Sequence, residues 1–459
     1  MKITDKDILL IKKYLVNGPR YTSYPTAPEW KESFSPEHYS SAIDSFFNKN
    51  TASSLYVHFP YCPQKCFYCG CNSEIISNSD DIERYLSYIG KELELIKKHC
   101  DMYSYKSFRS LHIGGGSPSQ LSIGEFEVLI KKLDLIIDRS LLLEFSIELD
   151  PRSVDEEKLE FYANIGINRI SFGIQDFDQK VQAAIGRVQP LKVFKKLLTT
   201  KIVEKFRSIN FDLIYGLPFQ TRKSFSETVK IVKELNPTRI AIYNYAHMPH
   251  LLSNQSKINS ADLPDVEERI NIFIDTTASL LQSGYKFIGM DHFAKSTDDL
   301  AIAQKERRLH RNFMGYSAVS ANSYLGLGPT AISLLESSYA QNSRVIDEYY
   351  AKLDKAVFPV FRGLKLTEDD LIRRDVIQSI ICNFYLDFNV IEKKYAVLFH
   401  TYFKEEIEAL TVFVNEGIII LKPDSFAVTE LGKLFVRNIC MLFDKYLKNS
   451  RHKSFSKTI

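Results

Sequence analysis

The sequence predicts an α/β fold: a partial (β/α)6 TIM-like barrel with an N-terminal extension and a mainly helical C-terminal domain. Two patterns carry this prediction. Six short apolar runs between residues 54 and 245 alternate with amphipathic stretches of helical period. Each run also hands over, at its C-terminal end, to residues of unusual chemistry. Alternation of strand and helix gives parallel strands joined by right-handed crossovers. Six such units fall two short of a complete eight-fold barrel, so the expected sheet is a partial barrel or an open curved sheet.

The runs occupy residues 54–60 (SLYVHFP), 110–115 (SLHIGG), 143–150 (LEFSIELD), 169–175 (RISFGIQ), 209–216 (INFDLIYG) and 239–245 (RIAIYNY). They are rich in β-branched and aromatic residues and stop at Gly, Pro or polar residues. Residues 82–98 and 123–137 carry the helical period between them. The chain divides by pattern into an N-terminal segment (1–50), the barrel (51–365) and a helical, winged-helix-like domain (366–459). The last of these opens on Thr367 with Glu368, Asp369 and Asp370, a cap followed by acids in the first turn. It continues through GIIIL at 417–421, a turn at Pro423-Asp424 and a final helix from about Thr429.

No run of 18 apolar residues occurs, so no membrane span is expected. The opening MKITDKDILLIKKYL mixes acids and bases and does not read as a signal peptide. The 459 residues are 45% hydrophobic and 25% charged, which excludes disorder, collagen and a small disulfide scaffold. Lys plus Arg is 59 against 56 for Asp plus Glu, a net charge of +3 that does not suggest a nucleic-acid partner. Residues 366–459 hold 13 acidic and 13 basic side chains, so a lid or structural role is expected there. Five of those bases lie between Lys445 and Lys457, as a solvated tail or a counter-charge for an acidic substrate.

Four of the seven cysteines fall within ten residues: Cys62, Cys66, Cys69 and Cys71. A disulfide framework would spread its cysteines, so the cluster points to a metal site in a reducing compartment, and a cytoplasmic protein is expected. Cys62-x3-Cys66-x2-Cys69 follows the first run directly. Three thiolates from one loop suit three corners of a [4Fe–4S] cube, leaving the fourth iron for a ligand that is not protein. Structural zinc would want a closed set of four, usually as two separated pairs. Cys71 remains an alternative ligand. Glu148, Gln175, Asp212 and the stretch Gly114-Gly115-Gly116-Ser117 stand at the other run ends, where a β/α barrel builds its active site.

The CxxxCxxC loop after a first strand resembles the radical S-adenosylmethionine (SAM) superfamily. GPRYTSYPT (18–26), LYVHFPYCPQKCFYCGCN (55–72), HIGGGSP (112–118), SIELDPR (146–152), FDLIYGLPFQT (211–221), FIGMDHFA (287–294), LHRNFMGY (309–316) and RNICMLFDKYL (437–447) are similar, in order, to oxygen-independent coproporphyrinogen III oxidases. That resemblance implies Cys62, Cys66 and Cys69 as ligands of a [4Fe–4S] cluster, with two SAM molecules beside it. It implies Tyr56, Gly115, Glu148 and Ile332 at the first SAM, and Tyr68, Gly116, Ser117, Gln175, Arg187, Asp212 and Ala246 at the second. The residue types suit the task. Glycine admits close backbone approach, carboxylates take ribose hydroxyls or an ammonium, and arginine grips a carboxylate in two-pronged fashion.

The implied reaction is oxidative decarboxylation of two propionates of coproporphyrinogen III to vinyl groups, giving protoporphyrinogen IX in haem biosynthesis. SAM on the open iron supplies a 5′-deoxyadenosyl radical for it, so no side chain is assigned as the catalytic group. An electron donor such as a flavodoxin or ferredoxin, and a monomeric state, are implied as well. Arg20 is a candidate propionate partner.

Four features depart from the family pattern. Met314 stands where the family usually has glutamine beside the second SAM, Ser117 replaces threonine, the loop reads Phe67-Tyr68 rather than Tyr-Phe, and residues 317–324 differ. Two other readings stay open: a haem-binding chaperone of the same superfamily, and another radical SAM tetrapyrrole-modifying enzyme. The GPRYTSYPT segment, Cys71 and the C-terminal domain favour the oxidase.

Overall fold

Seven parallel strands position everything that follows. In the computed structural model residues 4–49, 51–100, 107–319, 321, 323–447 and 455–458 are described. The chain forms two units, one of Lys31–Thr276 with Ala321–Lys365, the other of Met1–Trp30, Thr277–Ser320 and Leu366–Ile459.

In the first unit, β1 (Ser53–Phe59), β2 (Phe108–Gly115), β3 (Glu144–Leu149), β4 (Arg169–Gln175), β5 (Ser208–Tyr215) and β6 (Arg239–Asn244) lie side by side in sequential order. All neighbouring pairs are parallel. Each predicted run matches one of these strands to within two residues, as the apolar, β-branched composition of doubly covered strands leads one to expect. In β1 every residue but Tyr56 is buried.

The crossovers include α1 (Ser79–Cys100), α2 (Ile123–Leu133), α3 (Glu156–Asn164) and α4 (Arg222–Leu235). Their starts are written locally. Ser122 and Glu125 form a capping box at α2, Asp155 caps α3, and Thr221 caps α4, which buries Phe225, Thr228, Val229 and Val232 against the sheet. Asn236 ends α4 in the left-handed conformation, φ 54°.

The sheet continues beyond β1 through strands that the sequence pattern did not signal. β7 (Ser323–Leu327) pairs parallel with β1, and β8 (Ile332–Leu335), β9 (Ser338–Asn342) and β10 (Val360–Lys365) follow antiparallel. The outer edge, β10, is met by the backbone of Lys31, which exchanges two hydrogen bonds with Gly363 (2.8 and 3.0 Å). Glu92 of α1 pins the extension. Buried, it accepts from Gly328 N–H (2.8 Å), Asn342 Nδ2 (2.7 Å) and the Tyr349 hydroxyl (2.7 Å).

The second unit contains the helix expected after Thr367, at Glu368–Asn383 with Thr367 and Asp370 in a capping box. An antiparallel sheet of Tyr385–Asp387, Ser425–Val428 and Ile419–Leu421 follows, with Ser425–Val428 central. The final helix begins later than expected, at Val436, after a 3-10 turn at Gly432–Phe435. Thr429 Oγ1 accepts from Gly432 N–H (3.0 Å), and a side chain at Gly432 would come within 1.9 Å of the Ile418 carbonyl oxygen, so the chain turns tightly before it coils. Arg20 pairs with Asp291. Lys445 meets Asp369 (2.5 Å) and Asp370 (3.0 Å), while most of the basic tail, 448–454, lies outside the described residues, as do 320 and 322 of the variant stretch.

Asp444 in this unit is buried, accepting from Tyr446 N–H (2.9 Å) and the Tyr21 hydroxyl (3.1 Å). Burial lifts its carboxyl from 3.8 to about 6. The folded state therefore holds a proton that the unfolded chain gives up, so this group's contribution is complete below about pH 4 and is lost as pH rises through 6. Asp444→Asn is expected to stabilise the protein by about 2 kcal/mol near pH 8 and hardly at all near pH 4 in chemical denaturation. An equal gain at both pH values would contradict this.

Candidate active site

The loop after β1 is held from both ends and from beneath. Tyr61–Cys62 pairs in parallel with Glu74–Ile75, closing the loop at its base. Within it, Asn254 Nδ2 lies 3.0, 3.1 and 2.9 Å from the carbonyl oxygens of Cys66, Phe67 and Cys69. Gln255 Nε2 donates to the carbonyls of Tyr68 (2.9 Å) and Ala246 (3.2 Å), and Phe67 N–H donates to Ile185 O (3.0 Å). Phe67 and Tyr68 pack on Val181, Ile185, Leu217, Tyr245 and Ile258. The loop's carbonyls thus have fixed partners rather than water. Sequence reasoning missed Asn254 and Gln255, since side-chain amides that clamp a distant backbone have no local motif. Asn254→Ala is expected to weaken iron retention about 10-fold or more under chelator challenge, the usual cost of losing an outer support; unchanged retention would count against the clamp.

A cavity of about 270 Å³ opens above the loop at the C-terminal ends of the strands. Its wall includes Cys62, Cys66, Tyr68, Cys69, Gly115, Gly116, Ser117, Glu148, Gln175, Arg187 and Asp212. Three of the residues that the resemblance assigns to SAM lie outside that wall. Tyr56 stacks on His112 (centroids 5.8 Å apart), and its hydroxyl lies 2.8 Å from His58 Nδ1. Ala246 offers its carbonyl to Gln255, and Ile332 opens β8 opposite Gln341. The wall also contains Cys71, Asp150, Arg152, Ser171 and Gly173. Glycine is required at two of these places. Gly115 has φ +115°, and a side-chain carbon at Gly116 would sit 2.4 Å from the Tyr61 carbonyl oxygen.

The charged groups are tuned by their neighbours. Burial would raise the Glu148 carboxyl, but the hydrogen bond and charge of His112 (3.4 Å) and the Gly115 N–H (3.0 Å) outweigh it and hold the group below the usual range. Asp212 goes the other way. Burial, reinforced by the Glu148 charge, pushes it up to about 6 against the hydrogen bonds from Ser171 (2.7 Å) and Asn210 (2.9 Å). Burial raises the Cys62 thiol to about 11, while hydrogen bonding from Cys71 lowers Cys69 to about 6. Arg187 reaches Cys66 Sγ (3.6 Å), Asp150 Oδ2 (3.2 Å) and Gly173 O (3.0 Å); its Nε is buried and has no hydrogen-bond partner among the described residues. Both terminal nitrogens are thus engaged by protein, which leaves less of the two-pronged grip than the sequence suggested.

The profile of the radical SAM superfamily matches residues 56–232. The chain is 41% identical over 456 residues to the oxygen-independent coproporphyrinogen III oxidase of Salmonella typhimurium, covering 99% of both chains. It belongs to the oxygen-independent coproporphyrinogen III oxidases. The Synechocystis enzyme of that name is 40% identical over 455 residues, covering 98% of this chain and 97% of that one. The solved coproporphyrinogen III oxidase of Escherichia coli, a radical SAM enzyme, superposes with a TM-score of 0.90 at 40% identity, covering 97% of this chain and 100% of that one.

Membership of the radical SAM superfamily brings a [4Fe–4S] cluster and SAM. The residues of this oxidase fit that group. Cys62, Cys66 and Cys69, with Cys71, face one cavity from one clamped loop, beside Arg187 and the carboxylates of Glu148, Asp150 and Asp212. Among the described residues no three His, Cys, Asp or Glu side chains are grouped to hold a single ion. A cube asks for one thiolate at each of three separate corners, whereas zinc asks for ligands converging on one point.

Proposed function

We propose that this chain performs the oxygen-independent oxidative decarboxylation of two propionates of coproporphyrinogen III to vinyl groups, giving protoporphyrinogen IX. Full-length similarity to enzymes of that name, with the three-thiol loop intact at the head of the sheet, supports this reading above all others. When bound, the cluster and SAM supply one-electron reduction and the hydrogen-abstracting chemistry.

The chain's own residues position and shield. Cys62, Cys66 and Cys69 would hold the cluster, and Asn254 and Gln255 keep their loop in place. Gly115 and Gly116 let backbone approach a small polar ligand, and Glu148, ionised by its neighbours, accepts from ribose hydroxyls or an ammonium. Tyr56 and Ile332 would contribute to the first SAM's site. Tyr68, Gly116, Ser117, Gln175, Asp212 and the free N–H of Arg187 would hold a second SAM, with Ala246 steadied through Gln255.

A flavodoxin or ferredoxin delivers the electron to a monomer. All seven cysteines are free thiols, which suits the cytoplasm, and among the described residues no helix is long and apolar enough to cross a membrane. Anoxic incubation with coproporphyrinogen III, SAM and a low-potential reductant is expected to yield a two-vinyl product by mass analysis. Stoichiometric haem binding with no vinyl product would favour the chaperone reading.

A further inference from the structure

Of the three loop thiols, one lies beside a fixed cation. Cys66 is buried, and Arg187, also buried, places Nη1 3.6 Å from its Sγ. Cys69 instead faces a neutral donor, the Cys71 N–H at 3.4 Å. The guanidinium has little freedom. Asp150 Oδ2 holds Nη1 at 3.2 Å and Gly173 O holds Nη2 at 3.0 Å. Asp150 is itself gripped by Arg152 (2.6 Å), and its backbone N–H donates to Ser119 Oγ, 3.1 Å away. Gly173 leaves the necessary room, since a side-chain carbon there would stand 3.1 Å from Nη2. Two cations surround one carboxylate, so the group beside the thiol keeps a net positive charge.

We propose that Arg187 sets the reduction potential of the iron–sulfur cluster through its hydrogen bond to the Cys66 sulfur. This rests on the cluster assignment above. A charged donor aimed at a thiolate draws electron density from it and stabilises the reduced, more negative cluster, raising the potential. The effect is large because the pair is buried, where charges are poorly screened. It is independent of any contact between Arg187 and SAM, and so persists when SAM is absent.

The test is EPR-monitored potentiometry of reconstituted protein without SAM, comparing wild type with Arg187→Met, Arg187→Gln and Arg187→Lys at matched iron and sulfide content. Arg187→Met is expected to lower the reduction equilibrium about tenfold, a shift of about 59 mV to more negative potential for a one-electron couple. Arg187→Gln, which keeps a donor without charge, falls between, and Arg187→Lys lies nearest wild type. Should Arg187→Met hold too little iron to measure, Arg187→Gln carries the comparison. Unchanged potentials in clusters that remain loaded overturn the proposal while leaving the cluster assignment standing. A wild-type protein that takes up no cluster overturns the assignment instead.

Discussion

Cys66→Ala protein takes up no stable cluster on anoxic reconstitution, whereas Cys71→Ala protein keeps iron and sulfide near the wild-type level. Both outcomes follow from the loop. Cys62, Cys66 and Cys69 line one cavity on a segment whose carbonyls are fixed by Asn254 and Gln255, so a missing sulfur cannot be replaced by a shift of the chain. With two thiolates left, half of the cube's irons lack protein ligands. Cys71 is exposed, and the hydrogen bond it gives Cys69 comes partly from its backbone N–H, which alanine retains. Iron and acid-labile sulfide per chain, with visible absorbance, read the result. Loss of iron in Cys71→Ala with retention in Cys66→Ala would reverse the ligand assignment.

Glu92→Ala is expected to cost about 4 kcal/mol or more in denaturant unfolding, from three donors left without an acceptor at about 1–3 kcal/mol each. That is a large part of the roughly 5–15 kcal/mol that holds a typical domain together. The damage is not confined to α1. Gly328, which Glu92 anchors, has φ +95°, and a side-chain carbon there would lie 2.5 Å from the His58 carbonyl oxygen, so this turn packs directly on the end of β1. Tyr85 on the same helix donates to that carbonyl (2.9 Å). A loosened turn therefore reaches the start of the cysteine loop, and iron retention falls together with stability. Glu92→Gln keeps the shape and one acceptor oxygen and is expected to lose less. A Glu92→Ala protein as stable as wild type would show that the buried carboxylate is not what holds β7–β10 in place.

The parts of the fold legible in the sequence were those whose environment is uniform. The run 169–175 coincides with β4 because a strand in the middle of a covered parallel sheet is largely apolar and β-branched along its length. β7 (SYLGL) and β9 (SYAQN) are as buried, yet they are short and rich in Ser, Gly and polar amides, and no periodicity distinguishes them from loop. Glu92 sits in KELELIKK, which reads as a solvated helix face; only the fold shows that it points inward. In the site, thiols, glycines and strand-end carboxylates announced themselves by residue type. Asn254 and Gln255, which act on backbone from afar, and Asp150, which holds the Arg187 guanidinium, became visible only with the distances.

The central claim is that three protein thiolates leave one iron of a cube open to SAM. EPR of the reduced, anoxically reconstituted protein, before and after adding SAM, tests it most directly. About four irons per chain are expected, with a spectrum that changes on SAM addition as a ligand joins the uncoordinated corner. Colourless, iron-free protein after reconstitution, or a loaded cluster whose spectrum ignores SAM, would contradict it.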